Sequence, residues 1–260
     1  MLIKNNDTGL TSITLKSGIF PYQLEICLYI VDGILIDTGS ANTLSKLKRV
    51  LNKEKISCAA ITHVHEDHTG AASWIKRNLN IPVYLHNDSI SEAAVKTSIP
   101  LYRRLVWGNR DGFDADPMPL FIETGRYRLD VIEAPGHHNN HMVFHEKKMG
   151  WLFTGDLYVS RRQLVAFKDE NISDAINSIK NLLQLDFKTV FCGHSGIHHN
   201  GKEKLKAKLD YFLQIQEQVR YLEKTGLPHE DINRKLFPGK NLWTKISGRE
   251  WSSLNIIKTI

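Results

Sequence analysis

In this sequence, single histidine or aspartate residues repeatedly follow short apolar segments of the kind that form buried β-strands. His137, Asp156 and His194 each come directly after a glycine that ends such a segment. A further apolar segment, residues 59–62, leads straight into His63. Because neighbouring strands of a sheet lie only about 5 Å apart, strand ends that carry the same kind of side chain are expected to converge on one site.

The segment from His63 to His68 is the strongest of these signals. It places three imidazoles and a carboxylate within six positions, as His63, His65, Asp67 and His68. Imidazole nitrogens and carboxylate oxygens are the ligands that zinc takes in proteins. Alternate side chains of an extended segment share one face, so His63 and His65 can chelate one ion. A turn after them would aim Asp67 and His68 toward a second ion.

Histidine is abundant in the chain and cysteine is scarce, with 12 and 3 residues. Cys27, Cys58 and Cys192 form no Cys-x-x-Cys pair, and this excludes a disulfide framework. The share of hydrophobic residues is 42% and that of charged residues 24%, which is typical of a folded globular protein. The formal net charge of +6 is only a weak indication of anionic partners.

The composition of the N-terminal segment predicts a cytoplasmic location. Lys4, Asn5, Asn6 and Asp7 stand where a signal peptide would have its apolar run. No apolar stretch of the sequence reaches the roughly 18 residues that a membrane span needs. We therefore expect no membrane partner.

Strand and helix signals alternate along the chain, which favours an α/β fold. The dipeptide Asp32-Gly33 between two apolar runs predicts a β-hairpin. A helix is expected at about 173–183, with Ser173 as its candidate cap. Apolar residues at helical spacing predict a long amphipathic helix within a helical C-terminal segment at about 202–260.

We predict a single domain over residues 1–260, because no linker rich in Pro, Gly or Ser divides the chain. The pattern loosens at about 87–119 into a loop-rich insertion. Loops over a rigid site commonly set specificity, so the insertion is expected to be a lid that faces the substrate. Its recognition candidates are Arg103, Arg104 and Trp107.

Taken together, these motifs resemble those of the metallo-β-lactamase-fold hydrolase superfamily. Ile-Asp-Thr-Gly stands at 36–39, His-x-His-x-Asp-His at 63–68, Ala-Pro-Gly-His at 134–137, Gly-Asp at 155–156 and Gly-His at 193–194. The five motifs follow the order of the family. The resemblance implies a four-layer αβ/βα sandwich, with two central mixed sheets flanked by helices.

The resemblance also implies a dinuclear site with two zinc ions per chain, iron and manganese being the alternatives. A hydroxide that bridges the ions would attack an ester-like carbonyl, and Asp67 would orient it. Asp37 would be a buried carboxylate that holds the imidazoles in place. The implied ligands are His63, His65 and His137 for one metal, Asp67, His68 and His194 for the other, and Asp156 as the bridge.

Other residues near the motifs carry separate expectations. Tyr158 is a candidate catalytic residue that contacts the substrate carbonyl, as in some lactone-cleaving relatives, and packing is the alternative. Glu66 is expected to point away from the metals into a salt bridge or solvent. His141 is expected to support the ligands. His138 is expected to be a turn residue, with a role at the site as the alternative, and the histidines at 198–199 to lie in a solvated loop.

The implied function is a dinuclear zinc hydrolase similar to the glyoxalase II and lactonase branch, acting on a small-molecule thioester or lactone. Asp156 disfavours a β-lactamase, since true β-lactamases of this fold typically have Cys or Ser in that neighbourhood. An RNA or DNA phosphodiesterase is the alternative, because basic residues at 202–208 would suit phosphate, although they alternate with apolar positions like a solvated helix face. Intact Asp67, His68 and His194 disfavour a mononuclear iron dioxygenase. The sequence assigns no oligomeric state.

Overall fold

Two mixed β-sheets form the centre of the protein in a computed structural model that describes residues 2–5, 8–19, 22–239 and 242–260. In the first sheet the strands neighbour one another in chain order, antiparallel at first and parallel from the fourth strand onward. Its strands are β1 (Leu2–Asn5), β2 (Leu10–Ile19), β3 (Tyr22–Val31), β4 (Ile34–Ile36), β5 (Cys58–Ala60), β6 (Val83–Leu85) and β7 (Asp116–Pro117).

The turn between β3 and β4 confirms the predicted hairpin. Asp32 and Gly33 both have positive φ angles, 46° and 92°. Two consecutive residues of this kind make the tight turns whose twist matches that of antiparallel strands. The parallel pairing begins at β4, so the ends of β4 and β5 lie side by side at one edge of the sheet.

The second sheet is antiparallel except for one parallel pair between its fourth and fifth strands. Its strands also neighbour one another in chain order. They are β8 (Phe121–Glu123), β9 (Arg128–Glu133), β10 (Met142–Glu146), β11 (Trp151–Gly155), β12 (Thr189–Cys192) and β13 (Gly196–His198).

Helices cover the outer faces of both sheets. Short 3₁₀ turns at Ala41–Thr43 and Asn87–Ser89 precede two of them. The helices are α1 (Leu44–Leu51), α2 (Glu66–Thr69), α3 (Ala72–Leu79), α4 (Ile90–Ala93), α5 (Leu101–Trp107), α6 (Ile172–Leu182), α7 (Gly201–Lys224), α8 (His229–Leu236), α9 (Leu242–Ile246) and α10 (Ser253–Thr259). Within the described part of the chain, none of these helices combines the length and apolarity that crossing a membrane requires.

The buried side chains of β3 show how the four layers form. Successive side chains of a strand point to opposite faces. Leu28 and Ile30 therefore pack with α1 and α3 on the outer face. Tyr29 and Val31 pack between the sheets, against aromatic side chains of the second sheet such as Phe153. A third core lies between the second sheet and α6, α7, α8 and α10. This helix, sheet, sheet, helix order is the predicted four-layer α/β sandwich.

The predicted helix at 173–183 is confirmed with a different cap. The helix α6 begins at Ile172, and Asn171 precedes it in an extended conformation. The side-chain oxygen of Asn171 accepts a hydrogen bond from the backbone N–H of Asp174, at 3.0 Å. Asn and Ser are equally good caps, so a neighbouring Asn at the right offset replaces Ser173 in this role.

The segment at 87–119 is more regular than the predicted loop-rich insertion, because it contains α4, α5 and β7. Arg110 explains this order. Its side chain is buried, and the guanidinium donates hydrogen bonds to the carbonyl oxygens of Ala93 at 2.7 Å and Glu92 at 3.1 Å. These bonds tie the middle of the segment to the end of α4, a contact that the Gly, Asn and Asp residues around Arg110 do not indicate in the sequence.

Candidate metal centre

Two glycines let the strand ends of the second sheet approach the segment 62–68. A Cβ atom on Gly193 would lie 2.6 Å from Asp156 Oδ1 and 2.8 Å from the ring of His68. A Cβ atom on Gly155, which has a φ of 47°, would lie 2.7 Å from Thr62 Oγ1. Any other residue would push the site apart, and this explains why a glycine precedes a ligand-type residue in the sequence.

The first group of side chains that could hold an ion consists of three imidazoles, His63, His65 and His137. His65 Nδ1 lies 3.0 Å from His63 Nε2 and 3.2 Å from His137 Nε2. Nitrogens bound to one tetrahedral zinc ion at the usual bond length are about 3.3 Å apart, so the spacing fits. Burial and the neighbouring imidazole of His68 lower the pKa of His63 well below its usual value, which keeps it in the neutral, ligating form.

The second group consists of Asp67, His68, Asp156 and His194. His194 Nε2 lies 3.2 Å from Asp67 Oδ2 and 3.0 Å from Asp156 Oδ2. His68 Nε2 lies 3.4 Å from Asp156 Oδ1. The two oxygens of Asp156 therefore face different imidazoles.

Asp156 also links the second group to the first. Its Oδ2 atom lies 3.7 Å from His137 Nε2, as well as close to His194. The carboxylate thus stands between the two groups, where a ligand shared by two ions has to stand. All seven predicted ligands are brought together in this way, from both sheets.

The centre presents unsatisfied polar atoms and the buried carboxylates of Asp37, Asp67 and Asp156. His68 Nε2 and Asp156 Oδ1 are buried, and the structure gives neither of them a hydrogen bond among the residues it describes. Burial lowers the pKa of His68, but Asp37 and two further carboxylates raise it more, to well above its usual value. A divalent cation would satisfy both the orphaned atoms and the negative charge, so the residues present fit a pair of metal ions.

Hydrogen bonds to the far side of each ring orient the imidazoles. His68 Nδ1 lies 2.8 Å from the carboxylate of Asp37, and His194 Nδ1 donates to the carbonyl oxygen of Glu25 at 2.6 Å. Glu170 Oε2 lies 3.4 Å from His137 Nδ1. Such partners fix the tautomer in which the other nitrogen is free to bind metal.

Asp37 makes several of these orienting hydrogen bonds, and its replacement is expected to weaken the binding of a metal ion to the second group. Its carboxylate also accepts hydrogen bonds from the backbone N–H of Thr62 at 2.8 Å and from the Thr62 hydroxyl. In Asp37→Asn one acceptor becomes a donor, which conflicts with His68 or with Thr62. We expect a loss of about 10–100-fold in the affinity of the second metal ion. Competition against a zinc chelator measures this affinity, and unchanged binding of both ions would contradict the expectation.

Glu66 lies between ligand-type residues but points away from them, as predicted. Its carboxylate binds Arg103 of α5 through two hydrogen bonds of 2.6 Å and 2.7 Å. Arg103 also donates to Glu250 at 3.2 Å, and its guanidinium lies 4.8 Å from the ring centre of Phe167. The charge of this candidate recognition residue is thus already compensated inside the protein.

A cavity of about 450 Å³ opens onto both groups of ligands. The helix α5 of the insertion lines one side of it with Arg103, Val106 and Trp107. The Trp107 ring lies 5.9 Å from that of His194. The insertion therefore stands where a lid over the site was expected. Arg104 is exposed and lies outside the cavity wall.

The structure places Tyr158 in packing, which was the alternative to its predicted catalytic role. It is 3% exposed and belongs to the core beneath α6 and α7. Its ring contacts His198, whose Nε2 lies 2.8 Å from the Ser195 hydroxyl. Tyr158 is not among the described residues that line the cavity.

Two further histidines take supporting positions. His141 Nε2 accepts a hydrogen bond from the backbone N–H of Asp156 at 3.3 Å, in line with its expected supporting role. His138 Nδ1 accepts from the backbone N–H of Asn140 at 3.1 Å, which is the contact of a turn residue.

Lys208 is a residue of the cavity that the sequence interpretation missed. It is 3% exposed, whereas the basic segment at 202–208 was expected to face solvent. Its ammonium donates to Gln163 Oε1 at 3.2 Å, and the side chain lines the cavity. Its position in α7, three residues after Leu205 and four before Phe212, is on the apolar face and could have revealed this.

The buried charge of Lys208 is expected to lower the stability of the protein. Burial lowers the pKa of Lys208 from 10.5 to about 8, although Glu170 acts in the opposite direction. Each pKa unit is worth about 1.4 kcal/mol, so the charged form costs the folded state about 3 kcal/mol. The replacement Lys208→Met is therefore expected to raise the free energy of unfolding by about 2–3 kcal/mol at pH 7.

The pH dependence of the free energy of unfolding tests whether the gain in Lys208→Met comes from removing the charge of Lys208. Below pH 8 the lysine is charged in both states and the cost is complete. As the pH rises from about 8 to 10.5, the folded state loses the proton first and the cost disappears, so the advantage of Lys208→Met is expected to vanish. Urea unfolding at several pH values measures it. The exposed Lys206, which pairs with Asp210 on the same helix, gives the control Lys206→Met, and a Lys208→Met protein less stable than the wild type at pH 7 would contradict the expectation.

Comparisons with known proteins agree with the motifs. The sequence model described as "Metallo-beta-lactamase superfamily" matches residues 28–194. The chain is 26% identical over 125 residues to a hydroxyacylglutathione hydrolase from Bdellovibrio bacteriovorus, covering 48% of this chain and 43% of that protein. It is 22% identical over 198 residues to an atrochrysone carboxyl ACP thioesterase from Aspergillus fumigatus, covering 72% of this chain and 55% of that protein. The chain thus spans about half the length of these two relatives.

Among solved structures, a metallo-beta-lactamase family protein from Thermus thermophilus is similar in fold. The TM-score is 0.68 at 19% sequence identity, and the superposition covers 96% of this chain and 90% of that one. At this identity the likeness shows the fold alone.

Proposed function

The chain belongs to the metallo-β-lactamase superfamily, and on that basis we propose that it is a dinuclear zinc hydrolase that cleaves a small-molecule thioester or lactone. The observation that carries the proposal is the carboxylate of Asp156 between two complete ligand groups. A mononuclear enzyme needs no such shared ligand. Iron and manganese accept the same imidazole and carboxylate donors, so the metal is part of the test.

The residues of the cavity support hydrolysis. Zinc ions held by the two groups would supply a hydroxide at neutral pH and would polarise the substrate carbonyl. Burial raises the pKa of Asp67, but His68 and His194 lower it more, so the carboxylate stays ionised at neutral pH. Asp67 lines the cavity and can therefore accept a hydrogen bond from the attacking water and hold it in line with the carbonyl.

The walls of the cavity suit an acyl substrate. Phe167 and Trp251 stack with their ring centres 5.3 Å apart and their planes 9° from parallel, and both line the cavity with Trp107. These apolar rings exclude water and suit a hydrocarbon chain. One of the two curated relatives is named a hydroxyacylglutathione hydrolase and the other a thioesterase.

A substrate screen on protein of known metal content tests the proposal. Thioesters, lactones, simple esters and bis-(4-nitrophenyl) phosphate are compared at equal concentration. We expect two zinc ions per chain and turnover of thioesters or lactones that is lost on chelation and restored by zinc. A preference for the phosphodiester would favour the nuclease alternative, and one iron per chain with oxygen consumption would contradict hydrolysis.

A pair of histidine variants tests the ligand assignment, and His199→Ala is the control for His63→Ala. His63→Ala removes a predicted ligand and is expected to abolish turnover. His199→Ala removes an exposed histidine outside both groups and is expected to leave turnover unchanged. Full activity of His63→Ala would show that the ligand assignment is wrong.

A further inference from the structure

Lys208 is a buried cation at the wall of the cavity without a carboxylate beside it. In the parts of the chain that the structure describes, no Asp or Glu oxygen lies within 4.0 Å of its ammonium group. Its hydrogen-bond partner there is the neutral amide oxygen of Gln163, and the ring of Phe212 lies 5.2 Å away. Buried ammonium groups are normally paired, because an unpaired one costs several kcal/mol.

The other buried cation of the cavity is compensated. Arg103 binds both oxygens of Glu66 and one of Glu250. The fold thus supplies acidic partners to Arg103 at this wall, whereas none of the described residues supplies one to Lys208.

Glu170, which Gln163 links to Lys208, already accepts hydrogen bonds from other groups. Gln163 Nε2 donates to Glu170 Oε2 at 2.7 Å, and Glu170 Oε1 accepts from the backbone N–H of Phe167 at 2.8 Å. Glu170 Oε2 also faces His137 Nδ1. With metal ions bound, the charge of Asp156 is compensated as well. The ammonium of Lys208 therefore places a positive charge at the cavity wall that no carboxylate of the described residues pairs with.

We infer that Lys208 anchors a negatively charged group of the substrate, so that the preferred substrates are thioesters or lactones that carry a carboxylate. Three N–H donors are available on an ammonium, and Gln163 takes one of them. A carboxylate can accept the others and pair with the charge. The pKa of Lys208, about 8, leaves the ammonium protonated at neutral pH. This inference rests on the proposed hydrolase function for the thioester or lactone, and on the surroundings of Lys208 for the negative charge of the ligand.

The kinetic test compares substrates that differ in one charge. Thiophenyl esters of glutaric acid, which keep a free carboxylate, are compared with the corresponding esters of glutaramic acid, which carry an uncharged amide. A second pair places the carboxylate or the amide on the thiol. A charge-assisted hydrogen bond is worth about 1.5–3 kcal/mol, so we expect the wild type to favour the carboxylate in at least one pair by about 10–100-fold in kcat/KM, through KM. The preference is expected to disappear in Lys208→Met and Lys208→Gln and to persist in Lys206→Met.

A binding test works even where no ester is turned over. Calorimetry with the zinc-loaded protein compares glutarate with neutral glutaramide. We expect glutarate to bind the wild type at least about tenfold more tightly than it binds Lys208→Met, since contacts of glutarate with the metals are the same in both proteins. A failure of the proposed function would appear as absent hydrolysis with this difference intact. Equal affinity of glutarate for both proteins, or an equal loss of kcat for charged and neutral substrates, would overturn the inference.

Discussion

Replacing Asp156 with Ala is expected to abolish hydrolysis and to reduce the metal content below two ions per chain. Its Oδ2 atom lies between the groups, 3.0 Å from His194 Nε2 and 3.7 Å from His137 Nε2. Without the carboxylate the second group keeps a single acidic side chain, and two cations would stand close together with less negative charge between them. We expect a fall of at least about 1000-fold in kcat/KM, which corresponds to about 4 kcal/mol of transition-state stabilisation.

The measurement is a zinc determination by mass spectrometry on the same protein that is assayed. Asp130→Ala is the matched control, because Asp130 is a half-buried Asp of β9 that accepts a hydrogen bond from Arg128 and lies outside both groups. It is expected to keep two zinc ions and full activity. An Asp156→Ala protein with two tightly bound zinc ions and wild-type turnover would contradict the assignment of Asp156 as the shared ligand.

Replacing Glu66 with Gln is expected to destabilise the protein by about 3 kcal/mol, since it leaves the charge of Arg103 buried with one acidic partner fewer. The side chain of Glu66 is 2% exposed and that of Arg103 is 11% exposed. Glu250, at 3.2 Å from Arg103, retains part of the compensation, which places the expected cost at the lower end of the range of about 3–5 kcal/mol for a broken buried pair.

A double variant separates this effect from simple loss of packing. Glu66→Gln with Arg103→Met removes both charges and is expected to be more stable than Glu66→Gln alone, because no guanidinium remains unpaired. Urea unfolding of the zinc-loaded wild type, Glu66→Gln, Arg103→Met and the double variant measures the four free energies of unfolding. If the two single changes add up without coupling, the ion pair does not carry the stability that its geometry suggests.

The clustering of the seven side chains at the centre could be predicted from the sequence because the segments that carry them follow strand ends. A strand fixes the direction of the residue that follows it, and a glycine such as Gly155 or Gly193 leaves a local trace of the close approach. The hairpin at Asp32-Gly33 is visible for the same reason, since its backbone geometry needs particular residue types. In each case the information lies within a few positions of the chain.

The roles of residues that depend on partners far away in the chain could not be predicted from local sequence patterns. The order of the insertion depends on Arg110, whose acceptors are carbonyl oxygens 17 and 18 positions away. Helical spacing places Lys208 on the apolar face of α7, but its hydrogen-bond partner Gln163 lies 45 positions away in the chain. Tyr158 follows a ligand in sequence, but the chain turns it into the core under α6 and α7. A spacing pattern contains none of these contacts.

The ligands of each proposed ion come from both sheets, and this gives the metals a mechanical role. His63 and His65 follow the first sheet, while His137 belongs to the second, more than 70 positions along the chain. An ion bound there closes a long loop, as a cross-link does. At a free concentration 100 times the dissociation constant, each ion would stabilise the folded state by about 2.7 kcal/mol. The lifetime of the protein against proteolysis would then follow the zinc supply of the cell, so its abundance would report metal availability independently of any substrate.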